Sequence, residues 1–253
     1  MARYQVILAY DGTKFVGSQR QAKSRTVQGE LEKALRKLGW SDRSVLLAGR
    51  TDTGVHAAGQ VASFDLDWQH ADGDLLRALN ANMPADVAAR DVRIAPPNFH
   101  PRFDATSRCY RYRLFCQQVR DPLREKSAWR VWPEIYSDAI QKVARLFVGQ
   151  HDFASYGTPP RAGSSTVRTV MNASWQARDD ELQFEVQANA FLYRMVRRLV
   201  FVQVAVAQGK ISVDTVARTL AGQTEGLERS ELPSGLAPAH GLTLVEVTYP
   251  TEI

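Results

Sequence analysis

The hydrophobic period of this chain switches several times between about two and about 3.6 residues, which limits it to folds in which strands and helices share a core. YQVILAY at 4–10 reads as a strand closed by the turn pair Asp11-Gly12. TVQGELEKALRKLG at 26–39 then sets Val27, Leu31, Ala34, Leu35 and Leu38 on one helical stripe, with Thr26 as N-cap and Gly39 just past the end. VLLAG at 45–49 and QVASFDL at 60–66 read as strands. A helix is expected from about 72 to 82, with Leu75, Leu76 and Leu79 inward and Pro84 stopping it.

Three prolines in RIAPPNFHPRFDAT, 93–106, mark the expected boundary between a first half, 1–105, and a second, 106–253. Beyond it the order of elements recurs loosely. RCYRYRLF (108–115) reads as a strand, SDAIQKVARLFVG (137–149) as a helix, and the stretch up to 180 as a loop. ELQFEVQA (181–188) is a strand, FLYRMVRRLVFVQVAVAQG (191–209) a helix, 212–221 a short helix and LTLVEVTY (242–249) a final strand. No sequence repeat accompanies this pattern of elements. It predicts an α+β fold of two similar halves, each an antiparallel sheet with helices packed on one face.

Composition narrows the function classes. Over 253 residues, 44% hydrophobic and 23% charged residues are globular values and exclude a disordered chain. Lys and Arg outnumber Asp and Glu by 32 to 27, for a net charge of +5, so the placement of the arginines decides whether a polyanion is the partner. Cys109 and Cys116 form no disulfide framework or zinc spacing, and read as buried thiols in a reducing compartment. The opening MARYQVILAYDG has no secretory signal, and the apolar run LVFVQVAVA at 199–207 is too short to span a bilayer and is interrupted by Gln203. A soluble, cytoplasmic protein without membrane association is expected.

Residues 48–65, AGRTDTGVHAAGQVASFD, place a lone carboxylate, Asp52, on a loop between two strands, beside Arg50 and shortly before His56. Such an acid either carries chemistry or caps turn N–H groups. In RCYRYR a period of two puts Arg108, Tyr110 and Tyr112 on one face and Cys109, Arg111 and Arg113 on the other. Cations beside tyrosines suit a nucleic acid, because guanidinium binds phosphate and an aromatic ring stacks on a base, though a packing face with solvated arginines has the same pattern. In FLYRMVRRLV, helical spacing turns Leu192, Met195, Val196 and Leu199 inward and gathers Arg194, Arg197 and Arg198 on one arc that calls for anions. Arg20, Arg102, Arg161 and Arg168 are further candidate cations. The scattered histidines have no metal-ligand spacing, so no metal site is expected, and no P-loop, dinucleotide fingerprint or G-x-S-x-G is present.

GRTDTGVHAAGQVASFD resembles, nearly residue for residue, the catalytic motif of the tRNA pseudouridine synthase A (TruA) family. YDGTKFVGSQRQ, TVQGELEKAL, LNANMPADV, FHPRFDAT, RCYRY, HDFASYG, FLYRMVR and APAHGLTLVEVTY are similar to the family's other landmarks, in the family's order. The resemblance implies a cofactor-free isomerase with its catalytic cleft between the two halves. It implies conversion of uridine to pseudouridine in the anticodon arm of tRNA, at positions 38, 39 and 40, by a homodimer. It assigns the catalytic aspartate to Asp52, the active-site tyrosine to Tyr110 and the catalytic arginine to Arg197, with Arg50 helping to displace the target base. Arg50, His56, Arg102, Arg108, Arg194 and Arg198 are the expected RNA-binding residues. A lone acid suits this chemistry: as nucleophile or base it opens the N1–C1′ bond, whereas a glycoside hydrolase needs a second carboxylate and a placed water. A cation such as Arg197 favours its ionised form.

Two positions depart from the family pattern: Ser18, where tryptophan is usual, and Phe201, near which a small residue is usual. They bear on substrate fit and core packing, not on the proposed catalytic trio. The alternatives are a non-catalytic protein that holds structured RNA and a hydrolase that releases free uracil.

Overall fold

The computed structural model describes residues 1–135, 137–222 and 232–250. The chain forms two compact units, one made of Met1–Thr106 with Thr243–Ile253 and the other of Ser107–Leu242.

In the first unit the alternating run becomes β1 (Ala2–Tyr10). Tyr4, Val6, Leu8 and Tyr10 are buried, while Arg3 on the other face pairs with Asp65 across the sheet at 2.7 Å. Helix α1 (Val27–Lys37) starts at Thr26, whose hydroxyl accepts the Gly29 N–H at 3.2 Å, and is followed by Gly39 at φ +90°. Val27, Leu31, Ala34 and Leu35 are fully buried, as the stripe requires. Then come β2 (Leu46–Leu47), β3 (His56–Leu66), α2 (Asp72–Asn82) and β4 (Val87–Ile94). Strand β1 lies between β4 and β3, antiparallel to both, and β2 pairs with β3. Helix α2 packs on β4 and α1 on α2.

The second unit opens with β5 (Ser107–Cys116), followed by β6 (Trp129–Val131), α3 (Ser137–Leu146), β7 (Gly149–Asp152), β8 (Val167–Arg178), β9 (Glu181–Ala188), α4 (Met195–Ala207) and α5 (Val213–Leu220). The strand order is β5-β9-β8-β7, antiparallel throughout, with β6 on β5. Helix α3 packs on α4, α5 and β8. Gln203, the polar residue inside the apolar run, is fully buried and accepts the Trp175 indole N–H at 2.8 Å, so a hydrogen bond offsets its burial. The last strand, β10 (Leu242–Thr248), lies parallel to β3, with Thr243 opposite His56 and Leu244 opposite Ala57. Gly59 permits the approach of β10: a Cβ there would lie 2.3 Å from the Val245 carbonyl oxygen.

The α+β class is as expected, and the sheets are mainly antiparallel. Each unit adds one parallel pairing that the pattern did not indicate, β10 on β3 and β6 on β5. Four strands fall where none was predicted, β4 at 87–94, β6 at 129–131, β7 at 149–152 and β8 at 167–178, and β4 and β8 each carry a bulge. Arg90 is the extra residue in β4 and Met171 in β8, so the buried positions Val87, Ala89, Val92 and Val170, Ala173, Trp175 break a period of two. Helix α4 begins at Met195, not 191, because Tyr193 bridges to Thr158 and Arg194 takes a left-handed conformation at φ 63°. Cys116 is half-buried, not buried, while Cys109 is buried. Among the described residues no helix is long and apolar enough to cross a membrane.

Candidate active site

Asp52 sits half-buried on the connection between β2 and β3, and in the stretch that precedes it the residues on either side of Arg50 are held by buried polar side chains. On one side, the fully buried Gln60 accepts the Gly49 N–H at 3.3 Å and donates to the Gly49 carbonyl at 3.0 Å. On the other, Thr51 donates its N–H to Ser18 Oγ at 2.9 Å and accepts the Ser18 N–H at 3.1 Å. The Thr51 hydroxyl lies 2.9 Å from that of Tyr10. Burial, partly offset by hydrogen bonds to Thr51 and Gln60, pushes the Tyr10 pKa up to about 12, so the phenol keeps its proton. Arg50 therefore projects, exposed, from between two residues whose backbone groups are both engaged.

Beyond Asp52 the chain turns, with the Val55 N–H on the Asp52 carbonyl at 3.1 Å. Gly12 meets this turn so closely that a Cβ would lie 2.0 Å from the Val55 carbonyl oxygen. His56 Nδ1 lies 3.0 Å from the Gly12 N–H and 3.2 Å from the Asp11 carboxylate, which holds the ring against the start of the chain's first turn. Arg102 is exposed, in a turn where His100 Nδ1 accepts the N–H groups of Arg102 and Phe103 at 3.1 and 3.3 Å. Arg20, by contrast, reaches the buried Glu32 at 2.8 Å and is part of the support beneath α1.

In the second unit, Tyr110 is 9% exposed and meets the edge of Phe191 at 5.1 Å between ring centroids. Tyr112 is fully buried, with its hydroxyl on the Pro238 carbonyl at 2.8 Å, which leaves its ring no face for a base. Arg111 and Arg113 are engaged by β9 rather than left to solvent. Arg111 reaches Glu185 at 3.0 Å, and Arg113 is bidentate to Glu181 at 2.8 and 3.0 Å. Arg108 donates to the Asn189 carbonyl at 2.9 Å.

The expected arginine arc is only partly helical. Arg194 precedes α4, exposed, with its guanidinium 4.7 Å from the centre of the Tyr193 ring. Arg197 donates through Nε to the Ala237 carbonyl at 2.8 Å, while the Ala237 N–H returns a bond to the Arg197 carbonyl at 3.2 Å. Arg198 donates to the carbonyls of Pro233 and Gly235, and burial pulls its pKa down. Phe201 fills the space beside Gly235, where a Cβ would lie 2.4 Å from its ring, so this departure belongs to the packing of 232–238 on α4.

Asp52, Arg50, His56 and Arg102 thus belong to the first unit, and Tyr110, Arg108, Arg194, Arg197 and Arg198 to the second. The sequence reading missed Tyr10 and Gln60 as supports of the Asp52 loop. A polar Gln60 directly before the apolar pair Val61-Ala62 is the signal that points to it. Among the described residues, no group of three or more His, Cys, Asp or Glu side chains could hold a metal ion.

The chain is an RNA-modifying isomerase: it belongs to the tRNA pseudouridine synthase family, whose sequence model matches residues 6–104 and 143–250. It acts on tRNA, converting uridine to pseudouridine. It is 41% identical to a tRNA pseudouridine synthase A of Chloroflexus aurantiacus over 99% of this chain and 90% of that one. It is 38% identical to the proteins of the same name from Limosilactobacillus fermentum, over 98% and 96% of the two chains, and from Geobacter sp. strain M21, over 99% and 100%.

Proposed function

We propose that this synthase modifies uridines at positions 38, 39 and 40 of the tRNA anticodon arm, with Asp52, Tyr110 and Arg197 as its catalytic residues. The observation that carries the assignment of Asp52 is its loop, a single carboxylate whose preceding residues are pinned by Gln60, Ser18 and Tyr10. The reaction breaks N1–C1′, turns the uracil and joins C5 to C1′. One carboxylate serves it, either by attacking C1′ or by removing a proton from the sugar. Tyr110 would stack on the extruded base, Arg50 would take its place in the helix and Arg197 would contribute a fixed positive charge. His56, Arg102, Arg108, Arg194 and Arg198 would contact the RNA. Resemblance to the synthase A family supports the target positions, a homodimer and a cytoplasmic location.

The test is incubation of the purified protein with an unmodified tRNA transcript, followed by mapping of pseudouridine. The expected result is modification confined to the anticodon arm by the wild type and none by Asp52→Asn, which still binds tRNA. Full activity in Asp52→Asn removes Asp52 from the mechanism, and modification elsewhere in the tRNA overturns the assigned positions. Sedimentation of the free protein tests the dimer.

A further inference from the structure

We propose that Ser18 is a positioning residue for the catalytic loop, acting on Asp52 through Thr51. This rests on the reading of Asp52 as the catalytic acid. Ser18 is fully buried and so has no surface to offer RNA. Its three polar groups are all used. The N–H donates to the Thr51 carbonyl at 3.1 Å, Oγ accepts the Thr51 N–H at 2.9 Å, and the carbonyl accepts the Gln28 N–H at 2.9 Å. Gln28 lies in the first turn of α1, where backbone N–H groups have no partner within the helix. Ser18 therefore ties the residue before Asp52 to a helix, not to another loop.

The geometry explains why this matters for the acid. The Thr51 carbonyl belongs to the peptide plane that joins Thr51 to Asp52, and fixing that plane fixes the positions of the Asp52 N and Cα from which its side chain departs, while the Val55 N–H holds the Asp52 carbonyl on the far side. Holding only the carbonyl would leave the loop able to rock about it. The bond to Oγ holds the opposite side of Thr51, and the Tyr10 hydroxyl, 2.9 Å from the Thr51 hydroxyl, holds its side chain. Of the three hydrogen bonds made by Ser18, only the one to Oγ depends on the side chain. A substitution therefore removes one defined constraint and leaves the other two.

Without the hydroxyl, the buried Thr51 N–H loses its acceptor and the loop gains a reason to shift. A displacement of about 1 Å at a reacting group costs on the order of a hundredfold in rate, and a partial loosening is expected to cost about tenfold. Binding of tRNA, made by surface groups, is expected to be unchanged.

The test compares wild type, Ser18→Ala, Ser18→Cys and Asp52→Ala. It measures the single-turnover rate of pseudouridine formation at saturating tRNA, the tRNA affinity and the melting temperature. Ser18→Ala is expected to react about tenfold more slowly with affinity within about twofold of wild type, at an assay temperature well below its melting transition. Ser18→Cys, which keeps the shape and offers a weaker acceptor, is expected to fall between the two, and it carries the test if Ser18→Ala does not fold. A wild-type rate in the folded variant overturns the proposal, as does a loss of rate matched by an equal loss of affinity. Pseudouridine formation by Asp52→Ala instead overturns the reading of the acid, whatever the Ser18 variants do.

Discussion

Gln60 and Gly49 are joined by two hydrogen bonds, the side-chain amide of one closing on both backbone groups of the other at 3.0 and 3.3 Å. A fully buried amide is thereby satisfied, and a loop residue three positions before Asp52 is held as firmly as a residue inside a sheet. Gln60→Leu keeps the volume but strands the Gly49 N–H and carbonyl. It is expected to destabilise the protein by about 2–4 kcal/mol in urea unfolding. A loss below about 0.5 kcal/mol would show that water replaces the amide without penalty.

Acid is expected to weaken the first unit through three carboxylates held below their ordinary value of 3.8. Hydrogen bonds from Arg3 and Arg25 lower Asp65 and Asp86. Burial raises Asp11, but the hydroxyl and N–H of Thr13 outweigh it. A carboxyl lowered in the folded state contributes stability above its unfolded pKa and loses it as pH falls through the folded one. The melting temperature should therefore be level above about pH 5 and fall below about pH 4. Asp86→Asn should melt about 1–3 °C below wild type at pH 7, a modest figure because the pair is partly exposed, and the gap should close towards pH 2.5. A gap that stays constant down to that pH would count against this account.

Salt dependence separates arginines that face phosphate from those that serve the fold. Arg102 and Arg194 are exposed, and joint replacement by Gln is expected to reduce the slope of log affinity for tRNA against log salt by about 0.7–0.9 for each phosphate that is no longer neutralised. Arg111 and Arg113 are engaged by Glu185 and Glu181 across the sheet, and Arg111→Gln should leave the slope unchanged. Equal effects from both sets, read by filter binding over a salt series, would refute the distinction.

Much of the fold was legible because the signals are local. Thr26 and Gly39 bracket α1, Pro84 stops the run that forms α2, and β9 occupies the alternating stretch 181–188 without a shift. Of the strands that escaped, β4 and β8 each hold one extra residue, Arg90 or Met171, that breaks the alternation, while β6 and β7 run for only three and four residues, too few to show a period. The start of α4 escaped because Thr158, far away in the chain, claims Tyr193 for a bridge. At the site, the Asp52 loop was visible as a motif. Its supports were not, because Ser18 and Tyr10 reach Thr51 across 33 and 41 residues.

Periodicity, capping and motif, each read within a short window, were enough to locate the helices and strands β1, β2, β3, β5, β9 and β10, to assign the chain to its family and to pick out Asp52 as the acid of its loop. Folding in three dimensions was needed to run β10 parallel to β3, to seal Tyr112 while pairing Arg111 and Arg113, and to bring Ser18, Tyr10 and Gln60 together on the residues before Asp52. The reason is physical: buried polar groups must find partners, and in this protein those partners are supplied by segments that meet only when the sheet has formed.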